Sequence, residues 1–179
     1  ANLYLEHFPF IDRLWFGEYF DYNASPAYWL VEMSGIPFGL MGEMLEGGGN
    51  PWRGMVFGMT NRLPWSGDPR ELWKFWDTYK IQDTRMIGFW VPGAPVRSGR
   101  PDVLATVYQG EGRSIVALAS WAADTAQVRL AVDWTRLGLD PARARVVAPE
   151  LPGYQSAASF NPFHPIPVAP GRVWLLIFE

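Results

Sequence analysis

The sequence predicts an α/β unit followed by an all-β unit, and three observations predict it. Over residues 1–84, strand-like and helix-like segments alternate, with loops rich in Gly, Asn and Pro between them. Over residues 85–179, short β-rich runs follow one another, separated by turn residues. The halves also differ in composition, because seven of the ten tryptophans fall within the first 90 residues. The expected domains are therefore 1–84 and 85–179.

In the first half, residues 1–8 read as the tail of a helix and 10–16 (FIDRLWF) as a strand ending at Gly17-Glu18. The loop 19–24 carries Asp21 and Asn23. Ser25-Pro26 reads as an N-cap and the first helical residue: a serine oxygen accepts from an orphan N–H, and proline has no N–H to leave orphaned. That helix ends at Ser34-Gly35. A second strand is expected over 36–41 (IPFGLM), with Gly42-Glu43 after it, and a third over 53–60 (RGMVFGMT), after the Gly47-Gly48-Gly49-Asn50-Pro51 loop. Asp68, Pro69 and Glu71 have capping-box spacing and open a helix through Leu72, Trp73, Phe75, Trp76 and Tyr79.

This order is that of a parallel α/β fold. Three strands neither close a barrel nor cover their own edges. The remaining strands are expected upstream of Ala1, which makes the missing N-terminal part of the same protein an expected partner. Hydrolysis by the 179-residue chain alone is not expected, because such a barrel is open.

In the second half, strands are expected over 86–91, 103–109, 114–120, 126–132, 144–147, 156–160 and 172–177. Gly110-Glu111-Gly112 reads as a hairpin connection. Residues 133–139 read as a helical turn closed by Gly138. Seven or eight short strands at this spacing predict an antiparallel sandwich.

Composition narrows the function classes. Apolar residues are 49% and charged residues 18%, so a packed core is within reach and the composition argues against disorder. A net charge of −3, a pI near 5.4 and no run of like charges argue against nucleic acid or an anionic membrane as partner. With no cysteine and only His7 and His164, neither a metal site nor a Ser-His-Asp triad is expected, and no cofactor. The Gly47–Gly49 run lacks the context of a phosphate cradle. Aromatics reach 16%, with two readings: tryptophan fills core, or its flat apolar face and N–H receive a sugar ring.

The candidate catalytic groups are carboxylates. Glu18 follows an apolar strand and has an aromatic neighbourhood, which is where barrel enzymes place such groups. Burial against aromatics suits a carboxyl to general-acid work. The alternative is that Glu18 caps a helix or pairs with an arginine. Glu43 stands at the equivalent place after the second strand, and Asp21 and Glu46 are reserves that also fit solvated loop acids. Two carboxyls about 5–5.5 Å apart suit retention, and about 6.5–9.5 Å inversion. Trp15, Trp52 and Trp65 are candidate stacking platforms. Arg53 and Arg62 are candidate contacts to a sugar or, alternatively, ion-pair partners of the carboxylates.

The blocks FIDRLWFGE (10–18), GIPFGLMGEM (35–44) and NPWRGMVFGMTNR (50–62) resemble the end of the catalytic region in bacterial glycoside-hydrolase-like proteins of the DUF6067 type. Residues 103–121, Asp133-Trp134 and 170–176 resemble the β-sandwich that closes those proteins. The resemblance implies the last strands and helices of a (β/α)8 barrel, then a sandwich. It implies a presumptive glycosidase acting on a carbohydrate substrate in a secreted or periplasmic setting, with no substrate specified. Glu18 is then acid or base, and Glu43 or Asp21 its partner. The competing reading is a non-catalytic carbohydrate-binding or structural module. Against it, Trp121, Trp134 and Trp174 sit in strands or turns, as core residues would.

Overall fold

The computed structural model of the chain describes residues 2–16, 21–44, 51–61 and 68–179, the side chains of 2–5, 16 and 51 excepted. Two compact units divide at Pro69/Arg70.

The first unit opens with a 3₁₀ segment, Asn2–Phe10, and strand β1 (Arg13–Phe16). Helix α1 (Pro26–Tyr28) begins as expected: Ser25 Oγ accepts from the Tyr28 N–H at 3.3 Å and Pro26 fills the first position. It widens into a π segment, Trp29–Met33, closed by Ser34 N–H on the Trp29 carbonyl at 2.9 Å. A 3₁₀ turn, Ile36–Phe38, leads to β2 (Met41–Met44). Helix α2 (Pro51–Gly54) runs into a second 3₁₀ turn, Met55–Phe57, before β3 (Thr60–Asn61). The three strands are parallel, in the order β1-β2-β3.

Two expected strands move. The strand read at 36–41 is a 3₁₀ turn, because Gly35 and Gly39 on either side adopt φ of 73° and 71°, and Pro37 removes a ladder donor. The extended run starts only at Met41, so Glu43 lies inside β2 rather than beyond it. The strand read at 53–60 is mostly helical. Pro51 is the helix-start signal, and Val56 is its only β-branched residue before Thr60.

The two faces of this sheet differ. A Cβ on Gly42 would lie 2.4 Å from the Met33 carbonyl oxygen and 2.8 Å from that of Ser34, so the end of the π segment presses directly on that face. Met44 and Asn61, in register on the same face, are fully buried. Beside them Trp29 stacks on Phe57 at 5.5 Å and meets Tyr22 edge-on at 5.9 Å. The opposite face carries Arg13, Trp15, Glu43 and Thr60.

The second unit opens with α3 (Arg70–Tyr79), which buries Leu72 and Phe75. The expected division at residue 84 placed this helix in the first half. Its closing residue instead engages the second: Arg113 donates to the Tyr79 carbonyl at 3.4 Å and lies 5.2 Å from its ring centroid. The strands are β4 (Arg85–Ile87), β5 (Val96–Arg97), β6 (Val103–Gln109), β7 (Ser114–Ser120), β8 (Ala126–Val128), β9 (Ala131–Val132), β10 (Val146–Ala148), β11 (Ala158–Phe160), β12 (Ile166–Val168) and β13 (Val173–Phe178). Helix α4 (Trp134–Leu137) follows β9; Asp133 caps it by accepting from the Arg136 N–H at 3.0 Å, and Gly138 ends it at φ 71°.

A six-stranded antiparallel sheet has the order β11-β10-β13-β7-β6-β4. Two small antiparallel sheets, β12-β8 and β5-β9, complete the layer opposite. Alternate residues of the large sheet (Val103, Ala105, Val107, Val116, Leu118, Leu176, Phe178) share one core with Val96, Val128, Ile166 and Val168 of the small ones. The expectation of a β-rich, antiparallel second unit is met.

Candidate functional site

The polar row across the parallel sheet is the arrangement with chemistry in it. Register places Trp15 opposite Glu43 and Glu43 opposite Thr60, so the three side chains share one face. Arg13, two residues before Trp15, shares that face too. Arg13 Nη1 donates to Glu43 Oε1 at 3.0 Å, and Trp15 Nε1 donates to Glu43 Oε2 at 3.1 Å. Both carboxylate oxygens therefore act as acceptors, one from a cation and one from an indole.

Exposure within the row is uneven. The Glu43 side chain is 12% exposed and that of Arg13 63%, while Trp15 is 59% exposed. An ion pair with one member this open contributes only about 0–1 kcal/mol to stability. Leaving a large indole in water forgoes the gain its burial would bring. The row is thus poorly explained as a device for stability. It holds an open aromatic ring in a fixed orientation by its N–H, beside a guanidinium and above a carboxylate.

The other sequence candidates are placed differently. Asp21 is exposed and closes its own loop: its Oδ1 accepts from the Asn23 N–H at 2.8 Å and its carbonyl from Ala24 at 3.0 Å. Trp52 is 2% exposed, so it is a core residue and not an open platform for a sugar ring. The Arg53 guanidinium is half-buried, 5.7 Å from the centroid of the buried Trp29 ring, and burial pulls its pKa down to about 10. Glu18, Arg62, Trp65 and Glu46 lie outside the described residues.

So the structure joins Trp15 to Glu43 and gathers Trp52 and Arg53 into the body of the unit. The residue that reading the sequence missed is Arg13. Its signal was there: strand alternation puts residue 13 on the face of residue 15.

In the second unit, Trp121, Trp134 and Trp174 are half-buried, and Trp134 and Trp174 pack against the core, in line with the expectation for those two. The Trp134 ring packs on Phe178 and on the exposed Phe163. The Trp174 ring packs on Phe160.

Comparison with known families agrees with this division of the chain. The model described as glycoside hydrolase 123, TIM-barrel domain, matches residues 1–64. The model described as glycoside hydrolase 123, C-terminal domain, matches residues 68–179, well over half of the chain. No curated protein matches the sequence. The seam between the two matches falls within a few residues of the boundary between the two compact units. With both halves matched in order, the chain belongs to the glycoside hydrolase 123 family.

Proposed function

We propose that the protein hydrolyses a glycan, that β1, β2 and β3 are strands of a (β/α)8 barrel, and that the Arg13–Glu43–Trp15 row lies on the barrel's inner face as part of the substrate site. The single observation that carries this reading is the open indole of Trp15, locked to a carboxylate near the carboxyl end of a parallel strand. In barrel enzymes the C-terminal ends of the strands carry the chemistry. The face that carries the row is the one opposite the helical segment pressed on Gly42, which supports an inward orientation.

Each residue then has a role. Trp15 offers an apolar face to the C–H groups of a pyranose. Glu43, whose two oxygens accept hydrogen bonds, fixes Trp15 and Arg13 and supplies negative charge where an oxocarbenium-like centre develops. Proton transfer falls to Glu18, two residues beyond β1 in sequence, with Asp21 in reserve. Arg62 and Trp65 follow β3 in sequence and would contact the sugar. The second unit plays a supporting role beside the catalytic one.

The test is turnover by the full-length protein on a panel of aryl glycosides. Glu43→Gln should lower kcat/KM by about 10²–10³-fold, the size of losing one aimed electrostatic group. Because Arg13, the other member of the pair it breaks, is open to solvent, the melting temperature should change little. Trp15→Ala should act mainly on KM, and Glu18→Gln mainly on kcat. Unchanged turnover in Glu43→Gln, or no turnover of any glycoside by the wild type, would refute the reading.

A further inference from the structure

The six-stranded sheet contains a local irregularity with a chemical cause. Strands β10 and β13 pair Val146 with Phe178 and Val147 with Ile177. Continued by two residues, that register would set Pro149 opposite Leu175. Proline has no N–H to give, so the ladder stops there. The side-chain amide of the buried Gln155 takes the place of the missing strand. Its Oε1 accepts from the Leu175 N–H at 2.9 Å, and its Nε2 donates to the Leu175 carbonyl at 3.1 Å and to that of Pro149 at 2.8 Å.

Beyond this plug β13 has no strand neighbour on that side among the described residues, and a cleft of about 340 Å³ opens there. Its lining includes Thr125, Tyr154, Ser156, Arg172 and Trp174. Trp174 is held from two directions: its Nε1 donates to the Pro167 carbonyl at 2.7 Å, and Phe160 packs on it at 5.2 Å with the rings inclined at 72°. Among the described residues no acceptor engages the Arg172 guanidinium.

We propose that this cleft is a second glycan-binding site, separate from the row on the parallel sheet, which takes one or two pyranose rings against Trp174. The inference rests on the reading of the protein as one that acts on glycans. The cleft has the size of the smallest ligand pockets, which begin near about 300 Å³. An indole whose orientation is already fixed loses little freedom when a ring settles on it. The hydroxyls of Thr125 and Ser156 and the fork of Arg172 supply the mixed donors and acceptors that ring hydroxyls need. Arg172 has no competing carboxylate in the lining, so it is available to a sugar oxygen.

Ligand-observed NMR and calorimetry with maltose, cellobiose, lactose, mannobiose and glucuronic acid test this directly. At least one sugar should bind the wild type, and Trp174→Ala should weaken that binding about tenfold or more. Arg172→Ala and Tyr154→Ala alter exposed or half-exposed side chains and serve if Trp174→Ala fails to fold. Each should also weaken binding, with an unchanged far-ultraviolet spectrum. Arg100→Ala, at an exposed turn outside both sites, should leave this binding intact. Binding lost in Trp15→Ala but kept in the Trp174, Arg172 and Tyr154 variants would overturn the cleft and leave the glycosidase reading standing. No binding of any of the five sugars would also overturn the cleft. Turnover on aryl glycosides, measured separately, decides the first reading.

Discussion

The two units make sheets in different ways. In the second, β6 and β7 pair over seven residues with nearly every side chain buried, and the ladder itself sets the geometry. In the first, strands of two to four residues are spaced by 3₁₀ and π segments, and close backbone approach sets the geometry. A long ladder has many contacts over which to spread a fault. A short strand pressed against a carbonyl has few. The difference teaches where each unit is fragile: the first at a glycine, the second only where its ladder has been interrupted.

Gly42→Ala should give the largest effect. Its new Cβ would meet two backbone carbonyl oxygens at 2.4 and 2.8 Å, and neither belongs to a side chain that can swing away. Forced overpacking of this kind costs about 1–3 kcal/mol, occasionally more. Limited proteolysis should show cleavage within residues 1–69 while 70–179 resists. If both units lose protection together, or if neither does, the contrast between them fails.

Gln155→Leu should come next. It fills similar volume but leaves the buried N–H and carbonyl of Leu175 without partners, at about 1–3 kcal/mol. The midpoint of urea unfolding should fall with little change in slope. Gln155→Asn, one methylene shorter, should rescue little, because all three bonds depend on reach. A full rescue would mean that amide chemistry, not the ladder geometry, matters there.

Legibility in the sequence follows the same divide. Strands 103–109 and 114–120 were legible to the residue, because VLATVYQ and SIVALAS are β-rich, largely apolar runs with Gly110 and Gly112 between them. The turn at 133–139 was legible through Asp133 and Gly138, residues whose chemistry is local. Strands β5 and β12 were missed. Each is a short edge flanked or interrupted by proline, Pro95 in one case and Pro165 and Pro167 in the other, which demotes a strand by pattern alone. The run 126–132 divides because β8 pairs with β12 while β9 crosses to β5, a tertiary choice that local sequence does not encode.

The candidate site was half legible. Trp15 and Glu43 stood out as an aromatic and an acid near strand ends, but their direct bond required the parallel register, which depends on residues 28 positions apart. Trp52 looked equally suited to a sugar, and burial is what separates it from Trp15. Gln155 gave no sign in the sequence, since its role arises from a proline six residues earlier and a strand 20 residues later.

The smallest effect should come from the turn that leads into β6. Arg100 grips Asp102 with two parallel bonds, Nε to Oδ1 at 2.8 Å and Nη2 to Oδ2 at 2.7 Å. Chiefly through these hydrogen bonds, the Asp102 carboxyl is held below its usual range. A carboxylate with a depressed pKa in the folded state adds stability above its unfolded value, near about pH 4, and loses it as pH falls through the folded value. Arg100→Ala should therefore move the NMR titration midpoint of Asp102 upward. It should lower the melting temperature slightly at neutral pH and not at all in strong acid. Salt should shrink even the neutral-pH difference, because the pair lies in solvent. A difference that persists in acid would point instead to the turn's backbone, where Ser98 Oγ donates to the Arg100 carbonyl at 3.1 Å and accepts from its N–H at 3.2 Å. The sheet would then be entered through that turn, and the ion pair would be incidental to it.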